Sequence, residues 1–341
     1  MTAAEPVLQV DGLRVRFASD AGAVAAVNGI SFALDRGETL ALVGESGSGK
    51  SVTSLAVMRL LPPPPVCEVG GRISLAEAEG GVRDLLALPE EAMCRVRGDR
   101  VSIIFQEPMT SLNPVLPVGE QIAEAIRFHR AASRRVALAA ATDLLERVGI
   151  PEPRKRLGSY AHHLSGGQRQ RVMIAMALAC NPEVLIADEP TTALDVTVQA
   201  QILELLRRLQ QETGMAVIFI THNLGVVAEI ADRVLVMYAG RAVEEAEVAT
   251  LFRRPLMPYT AGLLASVPRL PEAGCKGREG VRFAAIPGTV PDPLALPSGC
   301  SFHPRCVHAK PGLCDSEVPD LEDAGPGHRV RCRRWRAIDG S

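Results

Sequence analysis

Hydrophobic and polar residues alternate in two stretches near the start of the chain. Residues 8–17 alternate with one slip at Asp11-Gly12, and residues 28–34 alternate again before the turn-forming residues 35–38. A period of two is typical of strands that bury one face. The pattern predicts antiparallel strands, which lead into a short, fully apolar strand at residues 39–43.

Longer apolar segments then alternate with helix-forming stretches. The strand-like segments are residues 101–105, 183–190, 215–220 and 232–238. Between them, residues 118–148 carry apolar positions at helical spacing, and the runs 169–179 and 196–212 are also predicted to be helical. This order predicts an α/β fold, with residues 107–180 as a mostly helical subdomain inserted into the sheet domain.

Composition narrows the functional classes. A chain of 341 residues that is 47% hydrophobic can bury a large core, whereas 4% aromatic content and a net charge of −2 argue against a nucleic-acid partner. The chain contains no run of about 18 apolar residues, and residues 1–6 lack the features of a secretory signal. We therefore expect a protein that stays in the cytoplasm.

Residues 44–51, with the sequence GESGSGKS, match the phosphate-loop pattern G-x-x-x-x-G-K-[ST] between a predicted strand and a predicted helix. The pattern indicates that backbone N–H groups surround the β- and γ-phosphates, that Lys50 neutralises the terminal phosphates, and that the Ser51 hydroxyl binds Mg²⁺. The alternative is a Gly/Ser-rich turn that binds nothing. The candidate nucleotide-binding residues are Gly44, Glu45, Ser46, Gly47, Ser48, Gly49, Lys50 and Ser51.

Two adjacent carboxylates end the apolar strand predicted at residues 183–190. Because side chains alternate along a strand, Asp188 and Glu189 cannot have the same role. We expect Asp188 to hold Mg²⁺ through water and Glu189 to polarise the attacking water as a general base. The alternative is a pair of solvated acids at the end of a strand.

A second anion site is predicted where Ser165 precedes the helix that contains Gly166, Gly167 and Gln168, although a capped helix alone would explain the same residues. His222 follows a buried strand and is interpreted as a contact to the γ-phosphate. Phe17 has two interpretations: its ring lies beneath an adenine, or it is a buried aromatic side chain of the strand.

Six motifs occur in a fixed order over some 180 residues. They are GESGSGKS at 44–51, Gln106, LSGGQ at 164–168, VLIADEP at 184–190, TALD at 192–195 and His222. Together they resemble the nucleotide-binding subunit of an ATP-binding cassette (ABC) transporter. The resemblance implies a P-loop NTPase (RecA-like) core with an antiparallel β subdomain, spanning residues 1–106 and 181–254.

The same resemblance assigns further roles. Two such domains would pack head to tail, so that Ser165, Gly166, Gly167 and Gln168 complete the ATP site of the partner, while Asp195 crosses the interface. Gln106 would sense Mg²⁺ and the γ-phosphate, and His222 would be the switch histidine. The implied catalytic residues are Glu189, His222, Gln106 and Lys50.

Residues 255–341 resemble the C-terminal extension of oligopeptide and dipeptide importer ATPases, through residues 255–260, 263–268, 286–288 and 297–306. The stretch EPMTSLNP at 107–114 is similar to the same group. Nickel importers and some glutathione importers share this extension, and these substrates remain alternatives.

Four cysteines in this extension are candidate metal ligands: Cys300, Cys306, Cys314 and Cys332. Four thiolates in a helix-poor tail can hold either Zn²⁺ or an iron–sulfur cluster. Unrelated cysteines are the remaining alternative. The resemblance favours a [4Fe–4S] cluster with a structural or regulatory role.

The resemblance implies an ATPase, bound to the cytoplasmic face of the inner membrane, that powers import of di- and oligopeptides. Its partners would be two transmembrane permease subunits, a second homologous ATPase and an extracytoplasmic solute-binding protein. A heterodimer of ATPases is expected, with a homodimer as the alternative. Two other functions are a soluble, non-transport cassette ATPase, which usually has two cassettes in one chain, and a metal-sensing protein whose cluster gates a partner.

Overall fold

The computed structural model describes residues 5–20, 22–77, 79–107, 111–192, 194–267 and 286–339. Parts of three motifs lie outside these residues. They are residues 108–110 of the EPMTSLNP stretch, residue 193 of the TALD motif and residue 268 of the extension.

An eight-stranded sheet forms the centre of the molecule. Its strands, in sequence order, are β3 (Thr39–Val43), β6 (Val101–Ile104), β7 (Val184–Asp188), β8 (Ala216–Thr221), β9 (Arg233–Tyr238), β10 (Arg241–Glu247), β11 (Glu322–Gly325) and β12 (His328–Val330). The spatial order is β11-β12-β10-β9-β3-β8-β7-β6. The five strands from β9 to β6 are parallel, so their carboxyl ends meet at one edge.

A second, antiparallel sheet confirms the alternation near the start of the chain. It has the order β2-β1-β4-β5, with β1 (Leu8–Ser19), β2 (Gly22–Leu34), β4 (Cys67–Ala76) and β5 (Val82–Asp84). The slip at Asp11-Gly12 is a register shift between Val10 and Leu13 of β1. Its apolar face packs with Leu40 and Leu42 of β3, which places this sheet beside the phosphate loop.

Four helices lie between β6 and β7 in the sequence. They are α3 (Val118–Arg130), α4 (Arg134–Arg147), α5 (Pro153–Arg156) and α6 (Gly166–Ala177). Their buried side chains, such as Ile122, Leu145 and Ile174, join one hydrophobic cluster with Leu185 of β7. The inserted helical segment therefore shares a core with the main sheet.

The remaining helices are α1 (Lys50–Val57), α2 (Glu90–Val96), α7 (Val196–Thr213), α8 (Leu224–Ile230), α9 (Val248–Arg253), α10 (Pro258–Ala265) and α11 (Trp335–Asp339). Short 3₁₀ turns span Leu85–Ala87, Ala161–His163 and His303–Arg305. Across the part of the chain that is described, no helix combines the length and the apolar character needed to cross a bilayer.

The C-terminal residues pack on the main sheet. Strand β12 pairs with β10 and β11 pairs with β12, so the chain returns to extend the sheet. Phe302, Val330 and Trp335 are buried in one cluster with residues of β9 and β10. The C-terminal extension therefore shares a hydrophobic core with the cassette.

Candidate functional site

The phosphate loop spans residues 44–49 between β3 and α1. Gly44 has φ of 153°, and an added Cβ would lie 2.2 Å from the Met237 carbonyl oxygen. Gly49 has φ of 100°, and its Cβ would lie 2.5 Å from the Ala26 carbonyl oxygen. Since neither position has room for a side chain, the two glycines fix the path of the loop around the start of α1.

Lys50 is buried under this loop. Its Nζ donates to the carbonyl oxygens of Gly44, at 2.8 Å, and Glu45, at 3.0 Å, and lies 3.4 Å from Ser48 Oγ. Burial lowers the pKa of Lys50, against the opposing effect of the nearby carboxylates Glu189, Asp188 and Glu45. The loop thus holds a cation in a poorly solvated position, where an incoming phosphate could take over the carbonyl contacts.

Ser51 and Asp188 lie next to each other across the loop. The Ser51 hydroxyl donates to Asp188 Oδ1 at 3.1 Å. Burial raises the pKa of Asp188, and the hydrogen bond from Ser51 opposes that effect. A hydroxyl and a carboxylate oxygen at this distance suit Mg²⁺, which accepts one or two protein oxygens and completes its shell with water and phosphate.

Glu189 faces a different set of partners. Its carboxylate accepts from Gln106 Nε2 at 3.2 Å and from Thr192 Oγ1 at 2.8 Å, and its Oε1 lies 2.9 Å from His222 Nδ1. Burial alone would raise the pKa of Glu189, but the hydrogen bonds from His222 and Thr192 outweigh it, so the pKa is lowered. The site therefore holds an ionised carboxylate beside the phosphate loop.

The structure thus brings together the catalytic candidates Lys50, Gln106, Glu189 and His222, all at the carboxyl ends of parallel strands. Thr192 was not among the predicted residues. Its position three residues after Glu189, in the turn that follows β7, is the signal that could have indicated it.

Phe17 lies near the end of β1, opposite Val24 of β2 and Cys67 of β4. Its ring is half-buried and packs against the core of the antiparallel sheet. Phe17 is thus a partly buried strand residue, and its contact with an adenine ring stays a prediction.

The LSGGQ residues form a capped helix start. The Gln168 N–H donates to Ser165 Oγ at 3.3 Å, and the Ser165 N–H donates to Gln168 Oε1 at 3.1 Å, which is a capping box. Gly166 and Gly167 lie against the start of α7, where a Cβ on Gly167 would be 2.8 Å from Val198 Cγ1. Among the described residues, no hydrogen bond or ion pair joins this helix start to the phosphate loop of the same chain.

Asp195 caps the neighbouring helix. Its Oδ1 accepts from the Val198 N–H at 2.9 Å, and its side chain is exposed. The N-termini of α6 and α7 therefore lie side by side and face solvent, where both can contact a second molecule.

The four predicted metal ligands line one small cavity. Cys300, Cys306, Cys314 and Cys332 share it with Met257, Phe302, His303 and His308. Burial raises the pKa of Cys300 and Cys306, and it raises the pKa of Cys332 to about 11. Within the ranges that the structure describes, however, no three His, Cys, Asp or Glu side chains are close enough to hold a metal ion. The four cysteines thus share a cavity, but the predicted metal centre is not seen among the described residues.

A residue next to this cavity contacts the phosphate loop. Arg305, in the 3₁₀ turn between Cys300 and Cys306, forms a bidentate ion pair with Glu45. The sequence placed Glu45 among the nucleotide-binding residues, and the structure shows its carboxylate paired with the C-terminal extension.

Two family models match the chain. Residues 27–192 match the ABC transporter model, and residues 243–314 match the model described as the oligopeptide/dipeptide transporter C-terminal region. Among solved structures, the chain is similar to the dimeric ATP-binding cassette MJ0796 bound to ADP and Pi, with a TM-score of 0.62 and 26% identity, over 71% of this chain and 98% of that one. The match to cbiO1 from Clostridium perfringens, part of an ABC transporter complex, has a TM-score of 0.60 and 27% identity, over 73% and 91% of the two chains.

Relatives align along nearly the full length. A putative peptide import ATP-binding protein of Brucella abortus is 56% identical over 334 residues, 98% of each chain. The oligopeptide transport ATP-binding protein OppD of Salmonella typhimurium is 50% identical over 96% of this chain and 94% of its own. The dipeptide transport ATP-binding protein DppD of Bacillus subtilis is 48% identical over 96% and 94%.

Proposed function

The chain belongs to the ABC transporter family, as an ATP-hydrolysing subunit of the oligopeptide/dipeptide type, and we propose that it powers the uptake of di- and oligopeptides. The observation that carries the substrate class is the match of residues 243–314 to the oligopeptide/dipeptide C-terminal region. Relatives that are 48% to 56% identical along nearly the whole chain are named as peptide or dipeptide transport ATP-binding proteins, which supports the same substrate class. The family resemblance found in the sequence is confirmed.

In this proposal, Lys50 and the loop backbone bind the phosphates. On nucleotide binding, phosphate oxygens would replace the carbonyl oxygens of Gly44 and Glu45 as acceptors for Lys50. The ammonium group would stay hydrogen-bonded, and its charge would stabilise the phosphates. Ser51, Asp188 and Gln106 would hold Mg²⁺, which neutralises charge on the β- and γ-phosphates when bound. Gln106 lies beside Glu189, to whose carboxylate it donates a hydrogen bond.

Glu189 is proposed as the general base. Its lowered pKa keeps it ionised at neutral pH, and Gln106, Thr192 and His222 hold its oxygens in place. It would accept a proton from the attacking water, whose oxygen bonds to the γ-phosphorus as the bond to the β-phosphate oxygen breaks. His222, whose side chain is 64% exposed beside Glu189, would contact the γ-phosphate.

A second ATPase would complete the site. Ser165, Gly166 and Asp195 are exposed, Gly167 and Gln168 are partly exposed, and a similar solved cassette is described as dimeric. We propose a head-to-tail pair in which each helix start of α6 contacts the ATP bound by the other subunit. The pair, with a homologous ATPase expected as the second member, would bind two permeases at the cytoplasmic face of the inner membrane, and a solute-binding protein would deliver peptides.

The four thiols are proposed as ligands of a [4Fe–4S] cluster. The lining of one cavity by all four cysteines supports the proposal, since four thiolates are the usual ligand set of such a cluster. Iron and acid-labile sulfide should copurify with protein isolated without oxygen, with absorbance near 400 nm by rough expectation. Cys306→Ser should lower the iron content, whereas Cys94→Ser, at a thiol outside the cavity, should not. A colourless, iron-free protein would overturn the cluster.

Growth on peptides tests the transport function. A strain that lacks this gene and requires leucine should not grow on leucine-containing dipeptides and tripeptides, although it grows on free leucine. The wild-type gene should restore growth, and Glu189→Gln, which keeps the shape of the side chain but not its basicity, should not. Equal growth of the deletion strain and its parent on peptides would contradict the proposed substrate class.

A further inference from the structure

Two side chains of the C-terminal extension hold one residue of the phosphate loop. The backbone N–H of Glu45 donates to Tyr259 Oη at 2.8 Å. The Glu45 carboxylate accepts from both terminal nitrogens of Arg305, at 2.6 and 3.0 Å. The loop is therefore fixed at its second residue, through both backbone and side chain, by residues more than 200 positions later in the chain.

The Arg305 side chain, which pairs with Glu45, is itself held by several contacts. The Arg305 side chain is only 6% exposed, its Nε donates to the Pro287 carbonyl oxygen at 2.8 Å, and one terminal nitrogen donates to Tyr238 Oη at 3.3 Å. Its guanidinium also lies over the rings of Tyr238 and Phe302, at 5.8 and 5.9 Å from their centres. Tyr259 is also fully buried. Both residues that hold Glu45 are therefore fixed by their surroundings, and neither can move freely relative to the loop.

The charge of Glu45 connects its pairing with Arg305 to nucleotide binding. Glu45 also contacts Lys50, whose Nζ donates to the Glu45 carbonyl oxygen at 3.0 Å, so its carboxylate lies near the position proposed for the phosphates. An unpaired carboxylate there would repel a triphosphate. Hydrogen bonds to Glu45 raise the pKa of Arg305, which stays charged and cancels the carboxylate.

We propose that Arg305 is a positioning residue for the phosphate loop, which neutralises Glu45 and, together with Tyr259, holds the loop ready for Mg-ATP. The inference rests on the nucleotide site proposed for residues 44–51. It gives the extension a second role beside its cysteine cavity, because the turn that carries Arg305 connects the two.

The test compares five variants of the full-length subunit in the assembled transporter: Arg305→Met, Arg305→Lys, Glu45→Gln, the double change Glu45→Gln/Arg305→Met, and Arg331→Met. Arg331 is the matched control, since it is a partly buried extension arginine that donates to the carbonyl oxygens of Ala242 and Pro319 and not to the loop. The measurements are the Kd of a fluorescent Mg-ATP analogue, kcat and KM for ATP, and Tm.

We expect Arg305→Met to raise the Kd and KM about tenfold, which is ~1.4 kcal/mol, with a smaller change in kcat. Arg305→Lys keeps the positive charge but loses the contact through two nitrogens, so its Kd should lie between those of the wild type and Arg305→Met. Glu45→Gln alone should leave affinity unchanged or increase it. In the double variant, loss of the unpaired carboxylate should return the Kd to within about threefold of the wild type.

Three results would overturn the proposal: a Kd within twofold of the wild type for Arg305→Met, a double variant as weak as Arg305→Met, or an equal Kd change in Arg331→Met. A fall in Tm shared by Arg305→Met and Arg331→Met without a change in Kd would show a purely structural role. If Arg305→Met does not assemble, Arg305→Lys and Glu45→Gln carry the comparison. A wild type that does not bind Mg-ATP would instead remove the nucleotide site, and this proposal with it.

Discussion

Glu189 adopts a left-handed backbone conformation, with φ of 45°, directly after β7. A non-glycine residue in this region carries strain of about 1–3 kcal/mol, which proteins retain mainly at functional sites. The turn gives Glu189 its own partners, Thr192 and His222, while Asp188 stays with Ser51. One strained residue thus gives the two carboxylates different surroundings, in keeping with the different roles proposed for them.

Lys50→Ala should lower ATP hydrolysis by about 10²–10³-fold, because it removes a preorganised cation from the developing phosphate charge. Phosphate release by the assembled transporter is the measurement. Lys155→Ala, at a solvent-exposed lysine paired with Glu152, is the control and should leave the rate unchanged. Comparable rates in Lys50→Ala and the wild type would show that this loop is not the site of hydrolysis.

Thr192→Val should shift the acid side of the pH–rate profile to higher pH. The hydroxyl of Thr192 is one of the groups that lower the pKa of Glu189, so its loss raises that pKa and the base is protonated at a higher pH. As pH falls, activity should therefore be lost earlier in Thr192→Val than in the wild type. Thr192→Ser keeps the hydroxyl and should keep the profile; an unchanged profile in both variants would contradict Glu189 as the titrating base.

Sequence reasoning identified Glu189, Gln106 and His222 because each follows an apolar strand, and parallel strands bring such residues to one edge. It did not identify Thr192 or the pairing of Arg305 with Glu45. The first depends on a backbone turn that hydrophobic patterns do not encode. The second joins positions 260 residues apart, and no local pattern reports such a contact.

At the scale of elements, the N-termini of α6 and α7 lie together through close packing of small residues. Gly167 has no room for a side chain against Val198, and each helix carries its own cap, Ser165 or Asp195. Their caps satisfy backbone N–H groups within the chain while leaving the helix starts exposed. The pair is a preformed surface for a partner.

Ser165→Ala should lower the free energy of unfolding by about 1 kcal/mol, the usual effect of losing such a cap. It should also reduce ATP hydrolysis by the assembled dimer while leaving nucleotide binding to the free subunit unchanged. Ser133→Ala removes an equivalent cap from α4 and serves as the control for stability alone. Equal ATPase activity in the two variants would contradict a role for Ser165 in the partner's site.

The antiparallel strands and the inserted helices could be predicted because their apolar positions repeat over seven or more residues. Strands β11 and β12 could not, since they span only four and three residues and include polar and charged side chains. Their pairing is decided by the open edge of β10, which is a tertiary feature.

For the molecule as a whole, a buried carboxylate joins the extension to the cassette. Glu244 of β10 is fully buried and accepts from the N–H groups of Leu256 and Met257, at 2.6 and 3.1 Å. Its Oε1 also lies 2.8 Å from Nε2 of the buried His328 in β12. One side chain therefore fixes both the start of α10 and the strand that extends the sheet.

Glu244→Ala should lower the free energy of unfolding by about 3 kcal/mol, because it leaves two backbone N–H groups and His328 buried without their acceptor. Denaturant unfolding, followed by far-UV circular dichroism, measures the change. Glu247→Ala, at the exposed end of the same strand, should stay within about 0.5 kcal/mol of the wild type. A similarly small loss at Glu244 would mean that the extension docks independently of this contact.

The β11–β12 hairpin also forms one edge of the eight-stranded sheet. Its outermost strand is four residues long and begins with Glu322 and Asp323, which is a short, charged border that discourages lateral pairing between molecules. A fragment ending at residue 254 would lose this border and expose the backbone of β10, a seven-residue strand with Ala242, Val243 and Ala246 among its side chains. Such a fragment should self-associate, so solubility studies of this protein need the chain to its C-terminal helix.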